Sequence, residues 1–174
     1  MRHVRPLASA DPAQFRRIMG RFASSVTVIT ASVEGDIRGM TANAFMSGSL
    51  DPPLCVISVA KRANMHQHLT TAGAFGVNFL AAGQENLATH FAGRTLPDLH
   101  VAFGDHHGIP GIIGASALIT ASVSAKHDCG DHTLFVGAII SMSADDRPPL
   151  LYHASRFGAL LPLREAAPAA VEFW

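Results

Sequence analysis

Residues 116–126 and 133–144 carry the pattern that most narrows the folds open to this chain. In the first, Ala117, Ile119, Ala121, Val123 and Ala125 alternate with Ser116, Thr120, Ser122, Ser124 and Lys126. In the second, Leu134, Val136, Ala138, Ile140 and Met142 repeat the same period. A period of two belongs to a strand, whose side chains point alternately to opposite faces. Two long strands with one apolar face each predict an antiparallel sheet that curls to bury that face.

The rest of the chain supplies shorter strands and a few short helices. Asp11-Pro12 opens a helix, with Asp11 as N-cap and Pro12 at its first position, and Phe15, Ile18, Met19 and Phe22 mark its buried face. From Ser25 the period changes to strand through VTVITASV, and Gly35-Asp36 reads as a turn into a second strand. Leu54 to Ala60 reads as a buried strand after a double proline. Asn64 to Ala72 reads as a helix ended by Gly73, and Phe75 to Leu80 as another buried strand. Gln84 to Phe91 is a further helix, with Leu87 and Phe91 four apart and Gly93 as its stop. Residues 95–114, rich in Gly, Pro and His, take no assignment. The sum is a mainly β, mostly antiparallel barrel with a few short α-helices, without the strand–helix alternation of a doubly wound fold.

Composition sets the boundaries of function. The chain has 174 residues, 48% hydrophobic and 15% charged, which fits one folded domain over residues 11–164. Residues 1–10 read as a flexible N-terminus and 165–174 as a loose tail. Thirteen basic and thirteen acidic residues leave no net charge, hence no electrostatic case for nucleic acid or an anionic membrane surface. The low charge content suggests apolar surface covered by a second subunit. No signal peptide or membrane span is visible and the cysteines, Cys55 and Cys129, form no framework, so the expected location is cytoplasmic.

The stretch GMTANAFMSGSLDPP, residues 39–53, holds no charge before Asp51 and is rich in small polar residues. Gly39 and Gly48 let a flat ligand approach the backbone, while Thr41, Asn43, Ser47 and Ser49 add neutral donors and acceptors. That suits a planar heteroaromatic better than a phosphate or a metal. The competing reading is a bulged strand whose hydroxyls face solvent, and the residues alone do not choose between them. Lys61 and Arg62, with Asn64 as a cap, form either an anion site at a helix N-terminus or a solvated basic pair. His127-x-Cys129-x-x-His132 lacks a convincing fourth metal ligand. Cys55 sits mid-strand and should be inert, and no nucleophile elbow or acid/base pair stands out. Any chemistry then belongs to a bound cofactor.

In order along the chain, GMTANAFMSGSLDPPL (residues 39–54), SVAKR (58–62), FGVNFLAAGQENLATHFAGR (75–94), GDHTLFVG (130–137) and LLYHASRFG (150–158) resemble the flavin reductase-like family. These are the short reductase components of two-component flavin-dependent monooxygenases. The resemblance implies a split β-barrel that binds FMN or FAD, as a homodimer with flavin near the subunit interface. It implies an NAD(P)H:flavin oxidoreductase, using NADH or NADPH, that hands reduced flavin to a partner monooxygenase. The alternatives are a flavin-holding electron carrier or sensor, and a related reductase acting on a metal chelate or corrinoid.

By position, the resemblance puts Thr41, Ala42, Asn43 and Ala44 beside the flavin ring, with Ser47, Gly48 and Ser49 on its polar edge. Ser58, Ala60, Lys61 and Asn64 fall near the ribityl phosphate, and Phe91 and Arg94 near the phosphate or adenylate end. His132 sits where the nicotinamide stacks and is the expected catalytic residue, while Tyr152, Arg156 and Phe157 close the site. The chain departs from the family's frequent residues at Ala44, Met46, Ala63, Asn64 and Phe157, which bears on flavin affinity and on FMN against FAD. Arg2, Arg5, Arg16, Arg17 and Arg21 are the basic residues that bear on NADH against NADPH.

Overall fold

A computed structural model describes residues 10–160. The sequence expectations for residues 1–9 and 161–174 lie outside the described residues. The chain is mainly β, with three short helices and antiparallel sheets. Its elements, in order, are α1 (Pro12–Met19), β1 (Ser24–Ser25), β2 (Thr27–Val33), β3 (Asp36–Ala42), β4 (Phe45–Ser49), β5 (Leu54–Ala60) and α2 (Asn64–Ala72). There follow β6 (Ala74–Phe79), α3 (Glu85–Phe91), β7 (Phe103–His106), β8 (Ile109–Ile112), β9 (Ala117–Cys129), β10 (His132–Ala144), β11 (Leu151–His153) and β12 (Arg156–Gly158).

The main sheet has seven strands in the order β3-β2-β6-β9-β10-β5-β4. Its two edges, β3 and β4, are joined in sequence by Asn43 and Ala44 alone. Ala42 and Phe45 can therefore be no more than about 11 Å apart, given the fixed spacing of successive Cα atoms. The sheet must curl until its edges nearly meet, which makes an unclosed barrel with a seam at residues 43–44. The long hairpin β9–β10 provides the bend, with register shifts between Val136 and Gly137 and between Ile139 and Ser141.

Inside the barrel lies one apolar cluster, including Ile29, Ile57, Phe75, Val77 and Phe135. Helix α2 contributes Met65 and Leu69 to it. A second cluster lies against the outer wall of β2, where Val26, Val28, Leu80, Ala88, Ile112 and Leu150 pack. There the β7–β8 hairpin is tied down by buried Asn78. Its Nδ2 donates to the Val28 carbonyl at 2.8 Å and to Thr30 Oγ1 at 3.0 Å, and its Oδ1 accepts from the Ile112 N–H at 2.6 Å. The Thr30 hydroxyl in turn donates to the Pro110 carbonyl.

Local signals placed most elements well. Asp11 caps α1 by accepting from the N–H groups of Ala13 and Gln14, and Gly73 ends α2 in the left-handed region at φ 66°. The first hairpin turn falls on Glu34 and Gly35, both at positive φ, one residue earlier than expected. Asn64 is the first residue of α2 and not its cap, because Ala63 takes the extended N-cap conformation without a side-chain bond.

The expected buried faces need larger corrections. On β10 it is Thr133, Phe135 and Gly137 that are buried, while Leu134, Val136 and Ala138 are half-buried and Ile140 and Met142 exposed. The strand is apolar on both faces, and the bulky Phe135 turned inward takes its neighbours with it. On β9, Leu118 and Thr120 are buried as well as Ala121, because the β7–β8 hairpin packs on the side expected to face water. In α1 the face expected to be buried is open: Phe15 is 54% and Phe22 79% exposed, with Ile18 and Met19 similar.

Candidate functional site

A cavity of about 610 Å³ opens beside the seam. Thr41, Ala42 and Asn43 form one wall, Ala88, Thr89, Ala92 and Arg94 a second, and Tyr152, Ser155 and Phe157 a third, with Val26 behind. Each wall is held by chemistry traceable to particular side chains. The buried hydroxyl of Thr27 donates to the Ala42 carbonyl at 2.6 Å, and that of Thr41 donates to the Ala88 carbonyl at 2.7 Å. A trans peptide points its N–H opposite its C=O. With the Ala42 carbonyl turned to β2, the Asn43 N–H points the other way, across the seam.

Gly39 brings α3 close, since a Cβ there would lie 2.5 Å from the Phe91 ring. Phe91 packs with the second apolar cluster and against Phe103 at 6.5 Å between ring centres. It therefore supports the wall behind the cavity, with Arg94 on the lining. Tyr152 and Phe157 face each other edge-on at 5.6 Å, on a hairpin whose tip residues Ala154 and Ser155 both take positive φ.

From the seam a continuous track leads to the other expected residues. The Ala44 carbonyl accepts from the Ser58 N–H at 3.0 Å. On β5, Ser58 pairs with Leu134 and Ala60 pairs with His132. The Lys61 N–H donates to the Asp131 carbonyl at 3.0 Å, and Lys61 Nζ lies 3.2 Å from Asp128 Oδ1. Ser58, Ala60, Lys61 and His132 are thus gathered at one end of β5. Nδ1 of His132 lies 2.8 Å from Asp131 Oδ1. That hydrogen bond, then the imidazole's charge and to a smaller degree Arg62, holds the exposed Asp131 carboxyl below its ordinary value.

Other expected residues fall elsewhere. Ser47 and Ser49 line a separate, almost wholly apolar cavity with Phe45, Leu54 and Met142. Gly48 sits at a register shift between β4 and β5, where a Cβ would meet Leu54 at 3.3 Å. Arg156 lines the neighbouring cavity, which shares Phe157 with the one at the seam. Val26, Ala88, Thr89, Ala92 and Ser155 line the main cavity without having stood out in the sequence. The one signal for them was the small pair Ala88, in α3, and Ala92, at its C-cap, four residues apart, which leaves room where larger residues would fill it.

The main cavity carries few charges, offers backbone and hydroxyl partners along one side, and ends at a guanidinium. A planar heteroaromatic with a hydrogen-bonding rim fits that lining, so the residues present suit an isoalloxazine ring. Among the described residues, no group of three or more His, Cys, Asp or Glu side chains could hold a metal ion. Burial pushes the Cys55 thiol up to about 11, whereas Cys129 is exposed. A thiol reagent at neutral pH should therefore titrate Cys129 in the native protein and Cys55 only after unfolding. Prompt reaction of both thiols would contradict this packing.

The flavin reductase like domain family matches residues 19–161. An NADH-dependent flavin reductase of a Rhodococcus species is 40% identical over 152 residues, covering 86% of this chain and 86% of that protein. The reductase component of 4-hydroxyphenylacetate 3-monooxygenase from Thermus thermophilus is 40% identical over 139 residues, 79% of this chain and 89% of that one. Among solved structures, the NADH:FAD oxidoreductase of Streptomyces globisporus in complex with NAD and FAD fragments superposes with a TM-score of 0.81 at 39% identity. That match covers 89% of this chain and 96% of that one.

Proposed function

Because this chain belongs to the flavin reductase like domain family, we propose that it oxidises NADH, reduces FMN or FAD, and supplies the reduced flavin to a partner monooxygenase. The observation that carries the site assignment is the cavity at the seam, where the uncovered edge of β3 faces a space sized and lined for a flat heteroaromatic. Bound flavin supplies the hydride acceptor, and the protein's task is alignment and exclusion of water.

Thr27 orients the 42–43 peptide, so that the Asn43 N–H is available to the ring's polar rim. Thr41 ties that strand to α3, and Tyr152 and Phe157 shut the open side. Ser58, Ala60, Lys61 and Asn64 hold the phosphate end, where the first N–H groups of α2 lack a side-chain cap. His132, braced by Asp131, orients the nicotinamide. This reading treats residues 11–164 as one domain and places it in the cytoplasm beside its reductant. No helix among the described residues is long and apolar enough to cross a membrane.

The same reading includes a homodimer. The outer wall of β2, β6 and β9 is covered by the chain's own hairpin and α3, but among the described residues nothing covers the outer wall of β4, β5 and β10. Met46, Val56, Leu134, Val136 and Ala138 lie there exposed or half-buried, on the face that also carries Ser58 and His132. A second copy covering this face would place both sites beside the interface. Val136→Glu, at a half-buried position, should leave the fold intact and halve the mass seen by light scattering. A variant that stays dimeric would move the interface elsewhere.

The reaction is tested by following NADH and NADPH oxidation with FMN, FAD or no flavin added. Saturable oxidation that depends on added flavin is expected. Tightly held flavin without turnover would favour an electron carrier or sensor instead.

A further inference from the structure

Among the described residues that line the cavity at the seam, Arg94 alone carries a charge. Its side chain is exposed and enters no ion pair among the described residues. Where the guanidinium stands is therefore decided by the backbone beneath it. That backbone is the end of α3, and it is tied down at several points. Ala92 and Arg94 donate their N–H groups to the Thr89 carbonyl at 3.2 and 3.3 Å, and Gly93 donates to the His90 carbonyl at 3.2 Å. Gly93 itself takes φ 91°, a turn that lets the chain leave the helix. Residues 95–102 then run without helix or strand, so their N–H groups have no ladder to enter. Leu96 finds a side chain instead, and its N–H donates to Nδ1 of His90 at 3.1 Å. The imidazole packs edge-on against Phe91, with 5.0 Å between ring centres. Arg94 is thus held from both sides, by Thr89 at its own N–H and by His90 two residues further on.

We propose that His90 is a positioning residue, which aims Arg94 at the second phosphate of FAD and so gives the reductase a preference for FAD over FMN. The inference rests on the flavin reductase reading above. In that reading Lys61 and the uncapped N–H groups of α2 take the phosphate that both flavins carry. Arg94 stands on the α3 wall of the cavity, on a different element, and only FAD brings a second phosphate to meet it. A guanidinium grips phosphate through two parallel N–H bonds in a fixed fork. Its contribution therefore depends on where its backbone is held, which is what the bond from Leu96 to His90 secures.

The test is NADH oxidation by the full chain with FAD or FMN as the varied substrate. The unsubstituted protein should show the lower KM for FAD. His90→Ala should raise the KM for FAD about tenfold, the scale of one hydrogen bond to a charged group. Its maximal rate should stay, and its KM for FMN should change less than about twofold, because FMN carries no second phosphate. His90→Asn places an acceptor oxygen as many bonds from Cβ as Nδ1 and should restore the KM for FAD. Arg94→Ala should raise that KM at least as much, and adding His90→Ala to it should change nothing further. A merely structural His90 would move both flavins alike. Equal effects on FAD and FMN, additivity with Arg94→Ala, or a lower KM for FMN in the unsubstituted protein would overturn the proposal. An unsubstituted protein that oxidises no NADH with either flavin would remove the reductase reading itself, and the proposal with it.

Discussion

Asn78→Ala is expected to lower the free energy of unfolding by about 3–4 kcal/mol. The side chain is fully buried, and all its polar atoms are used to join β6, β2 and the β7–β8 hairpin. Truncation leaves the Ile112 N–H without an acceptor in a dry site, which costs about 1–3 kcal/mol. It also removes donors from the Val28 carbonyl and the Thr30 hydroxyl, and it opens a void where the amide stood. Small domains are held by about 5–15 kcal/mol in all, so the loss is a large fraction of the total. In urea the midpoint should fall with little change in slope. A change below about 1 kcal/mol, the scale of one ordinary net hydrogen bond, would mean that water replaces the amide and that the hairpin does not depend on it.

His132→Ala is expected to lower the maximal rate of NADH oxidation about a hundredfold, the scale of misplacing a reactant by an ångström, with a smaller change in KM. The imidazole stands at the start of β10, opposite Ala60, with its Nδ1 engaged by Asp131 and its side chain 41% exposed. Its second ring nitrogen is thus aimed by a fixed partner. Asp131→Asn should produce a smaller loss, about tenfold, because the partner stays while the charge goes.

The Asp131 carboxyl is held low, so at neutral pH the contact is fully formed. It is lost only as pH falls through that lowered value, below the usual carboxylate range. Asp131 itself therefore stays ionised from pH 6 to pH 8, and its own titration changes nothing in that range. Stopped-flow measurement of flavin reduction separates the His132 effect from binding, and unchanged rates in His132→Ala would remove the residue from the site.

How far each element could be read ahead depended on how far its cause lay along the chain. Asp11 and Pro12 start α1, and Gly73 ends α2, through contacts a few residues long, and these boundaries were legible. The hairpin of β7 and β8 was not. IPGI falls in the stretch that takes no assignment from its sequence, yet Ile109–Ile112 is wholly buried because β2 and β6 lie beneath it. The site was legible in part for the same reason. The run from Thr41 to Asn43 announced itself by composition, and Arg94, Tyr152 and Phe157 by resemblance. Ser47 and Ser49 belong to the same motif but lie further along β4 from the seam and line another cavity.

Local residue chemistry was enough to establish the longer strands, the helices and a small, neutral, hydrogen-bonding stretch suited to a flat ligand. Which side of β10 turns inward was beyond it, since TLFVGAII is apolar on both faces and the alternation is symmetric. Long-range pairing broke that symmetry. Once β3 and β4 had to meet across two residues, the sheet curled, Phe135 entered the barrel and Val136 was left outside. The same closure placed Asn43 and Ala44 at the seam, with a cavity beside them that no single segment encodes.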